Sequence, residues 1–282
     1  MLGSALVHFL GSQKHDVVEA NRRGISINGR NQALAFNAEQ PIERQLDLKH
    51  VDIVVNAIGM IRQLIDERSE EKIRLAFQLN SRFPRHLDSF AMETQTPIIQ
   101  IGTDCVFSGT VGSYTEVSSF DPVDVYGLSK VEGELGSPNS VTLRCSIVGK
   151  EMNSINSLLS WVISQPQGGT LKGYTNHFWN GISTLHFSKI VNGIIKKESF
   201  NLGTAHVVPR NKVSKYELIR SITSAFGRTD LKVIEHEAPV GIDRTLATVN
   251  SARNAAFWEG SGYSQAPSIE EMVDEFAKWR YP

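Results

Sequence analysis

The sequence predicts an α/β fold, in which a doubly wound parallel sheet is joined to a smaller α/β lobe. Runs of strand length alternate along the first half of the chain with segments of helical periodicity, an order typical of parallel strands joined by crossover helices. The runs at 51–59 and 97–107 are nearly continuous in apolar residues, which favours strands covered on both faces. A chain of 282 residues with 40% apolar residues can bury the core that this fold needs.

The first elements follow from local patterns. A helix is expected at the start, because apolar residues recur there at helical spacing and Gly11 suits its C-terminal end. A short strand within HDVVEAN ends just before Arg22 and Arg23. The strand at 51–59 leads into a long helical stretch from about 67 to 92, which carries Asn80 and is interrupted by Pro84.

The remaining elements divide the chain into two parts. The strand at 97–107 ends in polar residues, a helix around Tyr126 follows, and 141–149 is the next strand. After Gly149 a loop rich in Gly, Asn and aromatic residues indicates a second lobe, whereas the helix at 183–197 and the segment FNLG return to the sheet. We therefore expect a dinucleotide-binding domain at 1–149 with 184–204, and a substrate-binding lobe formed by 150–183 and 205–282.

Two later helices are predicted from capping boxes, in which a hydroxyl and a carboxylate stand three residues apart before an apolar stripe. The pairs are Ser214 with Glu217 and Ser268 with Glu271.

Composition excludes several classes of function. The net charge of −1 argues against nucleic acid or an acidic membrane as a partner. Two isolated cysteines, Cys105 and Cys145, suit neither a disulfide framework nor a metal site, and they favour a reducing compartment, the cytoplasm. No apolar run approaches the length of a membrane span, and the start lacks the pattern of a signal peptide. The sequence does not determine the oligomeric state, and a homodimer is possible.

Tyr126 and Lys130 form the strongest chemical signal. They stand four residues apart, so one helix face carries both side chains, and we expect the ammonium to lower the pKa of the phenol toward the range of a general acid or base. An exposed amphipathic helix is the alternative. Thr103 and the turn at 56–59 follow strands whose carboxyl ends line the crevice of such a sheet. Their alternatives are a capping hydroxyl and an ordinary turn.

These residues also carry a family resemblance. GTDCVFSG, followed by DPVDVYGLSKVEGE, resembles the extended short-chain dehydrogenase/reductase family, and the runs TNHFWNGIS and VPRNKVSKYELI narrow it to the branch similar to dTDP-4-dehydrorhamnose reductase. The resemblance implies that Thr103, Tyr126 and Lys130 are catalytic. Tyr126 would protonate a carbonyl oxygen as hydride arrives from NADPH, Thr103 would hydrogen-bond that oxygen, and Lys130 would bind the nicotinamide ribose.

The resemblance also implies a cofactor site. Backbone contacts would come from Ala57, Ile58 and Gly59, while Asn80 would help to position the lysine. Of the three glycines that cradle the pyrophosphate in the family, only Gly3 is present. The first strand of the family is absent, so we expect the natural reading frame to extend upstream by about 8–12 residues, the length of a strand and its turn.

Cofactor preference is predicted from the residues after the first strand. Arg22 and Arg23 stand where a 2′-phosphate would bind, and no acidic residue in that turn would bind a free ribose hydroxyl. NADP(H) is therefore preferred and NAD(H) is the second choice, with solvated surface charge as the alternative reading of the two arginines.

The substrate side is predicted to involve Thr103, Asp104, Cys105 and Trp179. Cys105 stands where the family usually has an aromatic residue and where related dehydratases carry a glutamate for elimination, so reduction is favoured over dehydration. Trp179 and its neighbour His177 could stack on a base or sugar, or Trp179 could instead close the junction between the lobes.

The predicted function is NADPH-dependent reduction of the 4-keto group of a nucleoside-diphosphate deoxysugar, in surface-polysaccharide sugar synthesis. Two alternatives remain, an epimerase of the same superfamily and a non-catalytic NADP-binding regulatory protein, resembling the regulatory subunit of methionine adenosyltransferase.

Overall fold

A computed structural model describes residues 1–27, 29–151, 154–200 and 202–280. Parallel strands form its central layer, as the sequence predicts. A four-stranded parallel sheet has the order β10–β5–β4–β3, and β1 and β2 pair in parallel as a separate ribbon. These strands are β1 Val18–Asn21, β2 Gln32–Ala35, β3 Val54–Asn56, β4 Ile98–Ile101, β5 Ser140–Arg144 and β10 Gly203–His206.

Helices cover both faces of this layer. In the described residues they are α1 Leu2–Ser12, α2 Glu70–Phe77, α3 Phe83–Thr94, α4 Val125–Glu132, α5 Leu158–Ile163, α6 Thr184–Lys197, α7 Lys215–Ala225, α8 Ser251–Gly260 and α9 Ile269–Lys278. Ile98 and Ile99 of β4 point to opposite faces, because successive strand residues alternate. Ile99 joins the core that includes α1 and α6, whereas Ile98 joins the core beneath α3. The sheet is therefore doubly wound.

The long helical stretch is interrupted as expected. A π-helical turn at Gln78–Arg82 separates α2 from α3, and Pro84 lies in the first turn of α3. Proline has no N–H to continue the helical ladder, and π turns are a known way to absorb such an irregularity. The turn places Asn80 inside the protein.

Two strand predictions need correction. The run 51–59 gives only the three residues of β3, whose Val54 and Val55 are half-buried because β3 is an edge strand among the described residues. It ends where the Asn56 side chain accepts a hydrogen bond from the Ile58 N–H at 3.0 Å and turns the chain. The run 141–149 divides into β5 and a second strand, since after β5 the chain pairs with β9 instead of β10.

The remaining strands are short and lie largely in the second half of the chain. They are β6 Ile147–Val148, β7 Thr170–Tyr174, β8 His177–Trp179, β9 Ile182–Ser183, β11 Val213–Ser214, β12 Lys232–His236 and β13 Ile242–Asp243. They form the sheets β11–β8–β13, β12–β7 and β6–β9. Both predicted capping boxes are confirmed, at the N-termini of α7 and α9. Within the described ranges, no helix has the length and apolar character needed to cross a membrane.

Candidate active site

Helix α4 presents the predicted catalytic pair. Asp124 caps its first turn by accepting a hydrogen bond from the Gly127 N–H at 2.8 Å, and its other carboxylate oxygen pairs with Arg62 Nε at 2.8 Å. Gly127 packs so closely on the turn after β4 that a Cβ would lie 2.3 Å from the carbonyl oxygen of Cys105. Only glycine allows this approach, which brings Tyr126 to Thr103.

Thr103 caps the turn that follows β4. Its hydroxyl accepts a hydrogen bond from the Cys105 N–H at 3.2 Å, donates one to Asp104 Oδ1 at 3.2 Å, and acts to lower the pKa of the neighbouring Tyr126 phenol. The capping role and the predicted catalytic position therefore belong to the same hydroxyl.

The pKa of Tyr126 shifts in the direction opposite to the one predicted. Burial raises the pKa of the phenol, because a buried phenolate loses the hydration that stabilises its charge, and Cys105 adds a further increase. Lys130 does not reverse this shift. Its ammonium donates a hydrogen bond to the Ile101 carbonyl oxygen at 2.6 Å, and burial lowers its own pKa to about 8. Tyr126 is thus a protonated phenol at neutral pH, the form that can donate a proton.

The Asn80 side chain forms hydrogen bonds to two other segments of the protein. Its side-chain oxygen accepts a hydrogen bond from the Met60 N–H at 2.7 Å, and its amide donates to the Met60 carbonyl and to Ser129 Oγ, each at 3.0 Å. Because the side chain is buried and these bonds occupy it, Asn80 does not offer a direct cofactor contact in this arrangement. It instead fixes α4 at the residue before Lys130.

A buried charge network holds the far end of α4. Arg144 donates two hydrogen bonds to Glu134, at 2.5 and 2.6 Å, and a third to His206 Nε2 at 3.1 Å. His206 Nδ1 donates to the Ala247 carbonyl oxygen at 2.7 Å, so its Nε2 is the free acceptor. Burial lowers the pKa of His206 and keeps the ring neutral beside the guanidinium. The network ties α4 to β5 and β10.

Two cations that the sequence did not reveal act on Asp104. Burial raises the pKa of Asp104, and the positive charges of Arg244 and Lys215 oppose that shift. Burial lowers the pKa of Lys215 to about 8, while the negative charge of Asp104 raises it. Lys215 Nζ lies 5.4 Å from the ring centroid of Trp179, and Arg244 Nε donates to the Phe107 carbonyl oxygen at 2.9 Å. Both cations come from segments far from Asp104 in sequence, so no local sequence motif indicates that they act on this residue.

The predicted aromatic contacts differ in exposure. Trp179 is 4% exposed, belongs to the main core and donates its indole N–H to Ser146 Oγ at 2.8 Å, which favours the alternative that it closes the junction. His177 is partly exposed; its Nε2 lies 3.0 Å from the Val240 carbonyl oxygen. Cys105 lies in a 3-10 turn rather than in a strand, and burial raises the pKa of its thiol to about 12.

The predicted cofactor residues gather at the carboxyl edge of the sheet. Ala57 and Gly59 are exposed just after β3, with Ile58 half-buried between them. Gly3, in the first turn of α1, lies against Ala57, where a Cβ would come within 3.6 Å of the Ala57 Cβ. The N-terminus of α1 therefore adjoins the end of β3, which is where a helix end can receive a pyrophosphate.

A cavity of about 420 Å³ lies at the ends of β1 and β2. Arg22 lines it, and so does Glu39, whose Oε1 is 3.6 Å from Arg22 Nη2. The turn after β1 is free of acidic residues, as predicted, but the fold brings in a carboxylate from the loop after β2. Arg23 is exposed, and its N–H is bonded to the Asn21 side chain at 3.1 Å.

The structure fits a nicotinamide dinucleotide. The edge beside Gly3 and Ala57, the cavity beside Arg22 and the segment carrying Lys130 could hold its pyrophosphate, adenosine and nicotinamide ribose, respectively. Among the residues that the structure describes, no group of three or more His, Cys, Asp or Glu side chains could hold a metal ion.

The fold and the site define an α/β chain of the extended short-chain dehydrogenase/reductase type. The family model described as RmlD substrate binding domain matches residues 1–278, and the chain belongs to that family.

Known proteins resemble the chain in sequence and in fold. A dTDP-4-dehydrorhamnose reductase of Aggregatibacter actinomycetemcomitans is 30% identical over 133 residues, which is 42% of this chain and 44% of the relative, so the match spans less than half of that protein.

Two solved structures show the shared fold. The dTDP-4-dehydrorhamnose reductase of Bacillus anthracis str. Ames in complex with NADP has a TM-score of 0.74 at 20% identity, covering 98% of this chain and 94% of that one. The dTDP-glucose 4,6-dehydratase of the same organism in complex with NAD has a TM-score of 0.72 at 15% identity, covering 99% and 93%.

Proposed function

We propose that the chain reduces the 4-keto group of a nucleoside-diphosphate deoxysugar with NADPH. The observation that carries this proposal is the Tyr126 phenol, which is kept protonated by burial, reaches Thr103 and stands one helical turn from Lys130. A reduced nicotinamide supplies the hydride to the carbonyl carbon when it is bound. The protein's own part is to hold and deliver the proton.

Tyr126 is the proton donor to the carbonyl oxygen. A raised pKa keeps the proton on the phenol until negative charge develops on the substrate oxygen, and the Thr103 hydroxyl would turn from Asp104 to donate a hydrogen bond to the same oxygen. The reaction is balanced, because the addition of one hydride and one proton converts C=O to CH–OH. Lys130, one helical turn from Tyr126, would bind the nicotinamide ribose.

The sugar nucleotide is supported by charge on the other side of the site. Lys215 and Arg244 bring two positive charges to the single carboxyl group of Asp104. An excess of positive charge in a half-buried site favours an anion, and a diphosphate provides one. The named relatives that act on dTDP sugars support the same substrate class.

Cys105 supports reduction over elimination. A thiol whose pKa is about 12 neither gives up nor takes a proton readily at neutral pH. Cys105 therefore cannot supply the proton transfer that a dehydratase would need at this position.

The remaining assignments are part of the same proposal. Gly3, Ala57, Ile58 and Gly59 would contact the cofactor, Arg22 and Arg23 would favour NADP(H), and Asp104 and Cys105 would contact the sugar. The dinucleotide would bind to the domain formed by 1–149 with 184–204. The sugar nucleotide would bind to the lobe formed by 150–183 and 205–282. Two free cysteines support the cytoplasm. Surface-polysaccharide synthesis and a homodimer stay predictions from the sequence.

The test is NADPH oxidation, followed by absorbance, with the full chain and a dTDP-4-keto-6-deoxy sugar. Stoichiometric oxidation with a 4-hydroxy product supports the proposal. Conversion of the sugar without net oxidation would identify an epimerase, and NADPH binding without turnover of any keto sugar nucleotide would identify a regulatory protein; either result excludes the reductase.

A further inference from the structure

The cavity at the ends of β1 and β2 contains one charge of each sign. Arg22 follows β1, and Glu39 comes from the loop after β2; the other lining residues are Ala35, Phe36, Asn37 and Gln45. The guanidinium and the carboxylate lie 3.6 Å apart. Arg22 is therefore not a free cation in this arrangement.

The position of Glu39 is built into the loop. The Glu39 N–H donates to the Asn37 side-chain oxygen at 3.0 Å, and the Gln45 side chain accepts from the Asn37 N–H at 2.8 Å. Gln45 also donates to the carbonyl oxygens of Asn37 and Pro41, both at 3.0 Å. These bonds fix the loop on both sides of Glu39 and direct it over the ends of the strands.

NADPH and NADH would interact differently with the charges of this cavity. A 2′-phosphate brings about two negative charges, which Arg22 attracts and Glu39 repels. A free ribose hydroxyl brings no charge and can donate a hydrogen bond to a carboxylate, which is the usual basis for preferring NAD. Glu39 thus opposes the cofactor that Arg22 favours.

We propose that Glu39 is a specificity-determining residue that reduces discrimination between NADPH and NADH. The inference rests on the proposed function, because it assigns the cavity to the adenosine ribose of the cofactor. Glu39 offsets part of the positive charge of Arg22 and presents a carboxylate to the ribose, so the chain accepts both cofactors. Removal of that charge leaves Arg22 free for the 2′-phosphate.

The test compares dissociation constants of NADPH and NADH for the full chain, measured by fluorescence titration. Glu39→Gln should raise the preference for NADPH over NADH about tenfold, the size of one charge-assisted contact. Arg22→Ala should move the preference in the opposite direction. Adenosine 2′,5′-bisphosphate and 5′-AMP, which differ only in the 2′-phosphate, should show the same two shifts.

Glu43→Gln is the matched control, since it makes the same charge change in the same segment. Glu43 pairs with His86 at 2.6 Å and does not line the cavity, so its variant should leave the preference unchanged. An unchanged ratio in Glu39→Gln, or an equal shift in both variants, would overturn the inference while leaving the proposed function standing. Failure of the wild-type chain to bind either cofactor would overturn both.

Discussion

Replacing Lys130 by methionine should abolish activity and yet stabilise the protein. The pKa of this buried lysine falls from an ordinary 10.5 to about 8, which corresponds to about 3 kcal/mol of unfavourable burial at pH 7, at about 1.36 kcal/mol per pKa unit. Methionine removes that cost but leaves the Ile101 carbonyl without its donor, at about 1–3 kcal/mol. We expect a net gain of about 1–2 kcal/mol in the free energy of unfolding.

The pH dependence is the sharper part of this prediction. The folded state binds the lysine proton less tightly than the unfolded state, so the penalty is complete below pH 8 and disappears as pH rises to 10.5. Urea unfolding of both proteins at pH 7 and pH 10 should therefore show a variant whose advantage shrinks with pH. Replacing Lys72, an exposed lysine on α2, by methionine is the control and should change little at either pH. A Lys130→Met variant whose difference from wild type is independent of pH would refute the reasoning.

Three further predictions concern the site. Tyr126→Phe should lower kcat by about 10²- to 10⁴-fold with cofactor affinity within a few-fold, because only the proton is removed; more than a tenth of the wild-type rate would exclude the donor role. Glu134→Gln should cost about 3–5 kcal/mol in urea unfolding, because Arg144 is left as a buried unpaired charge, whereas Glu132→Gln, on the exposed part of α4, should cost little. Lys215→Met should raise KM for the sugar nucleotide by about tenfold or more and leave kcat nearly unchanged, and a fall in kcat alone would contradict its role in binding.

Local patterns in the sequence predicted most of the helices and the position of Tyr126 and Lys130 on one of them. The spacing of Tyr126 and Lys130 on α4, the capping boxes of α7 and α9 and the polar end of β4 depend on residues only a few positions apart. Such patterns are readable because helix periodicity and capping act within one or two turns. The order of strands and helices likewise predicted the doubly wound sheet.

Only the tertiary structure decided the electrostatics of the site. The pKa of Tyr126 rises instead of falling, because the phenol is buried and the Lys130 ammonium is bonded to the Ile101 carbonyl oxygen. Desolvation is a property of packing, so no spacing of two residues can reveal it.

The structure also brought together charges that the sequence keeps far apart. Lys215 and Arg244 reach Asp104 from beyond residue 210, and Glu39 reaches Arg22 across the loop after β2. These contacts depend on how strands of different sheets and their loops are placed in space. The sequence by itself determined which groups could perform chemistry, while the fold determined which charges surround them, because Coulomb interactions follow distance through space rather than separation along the chain.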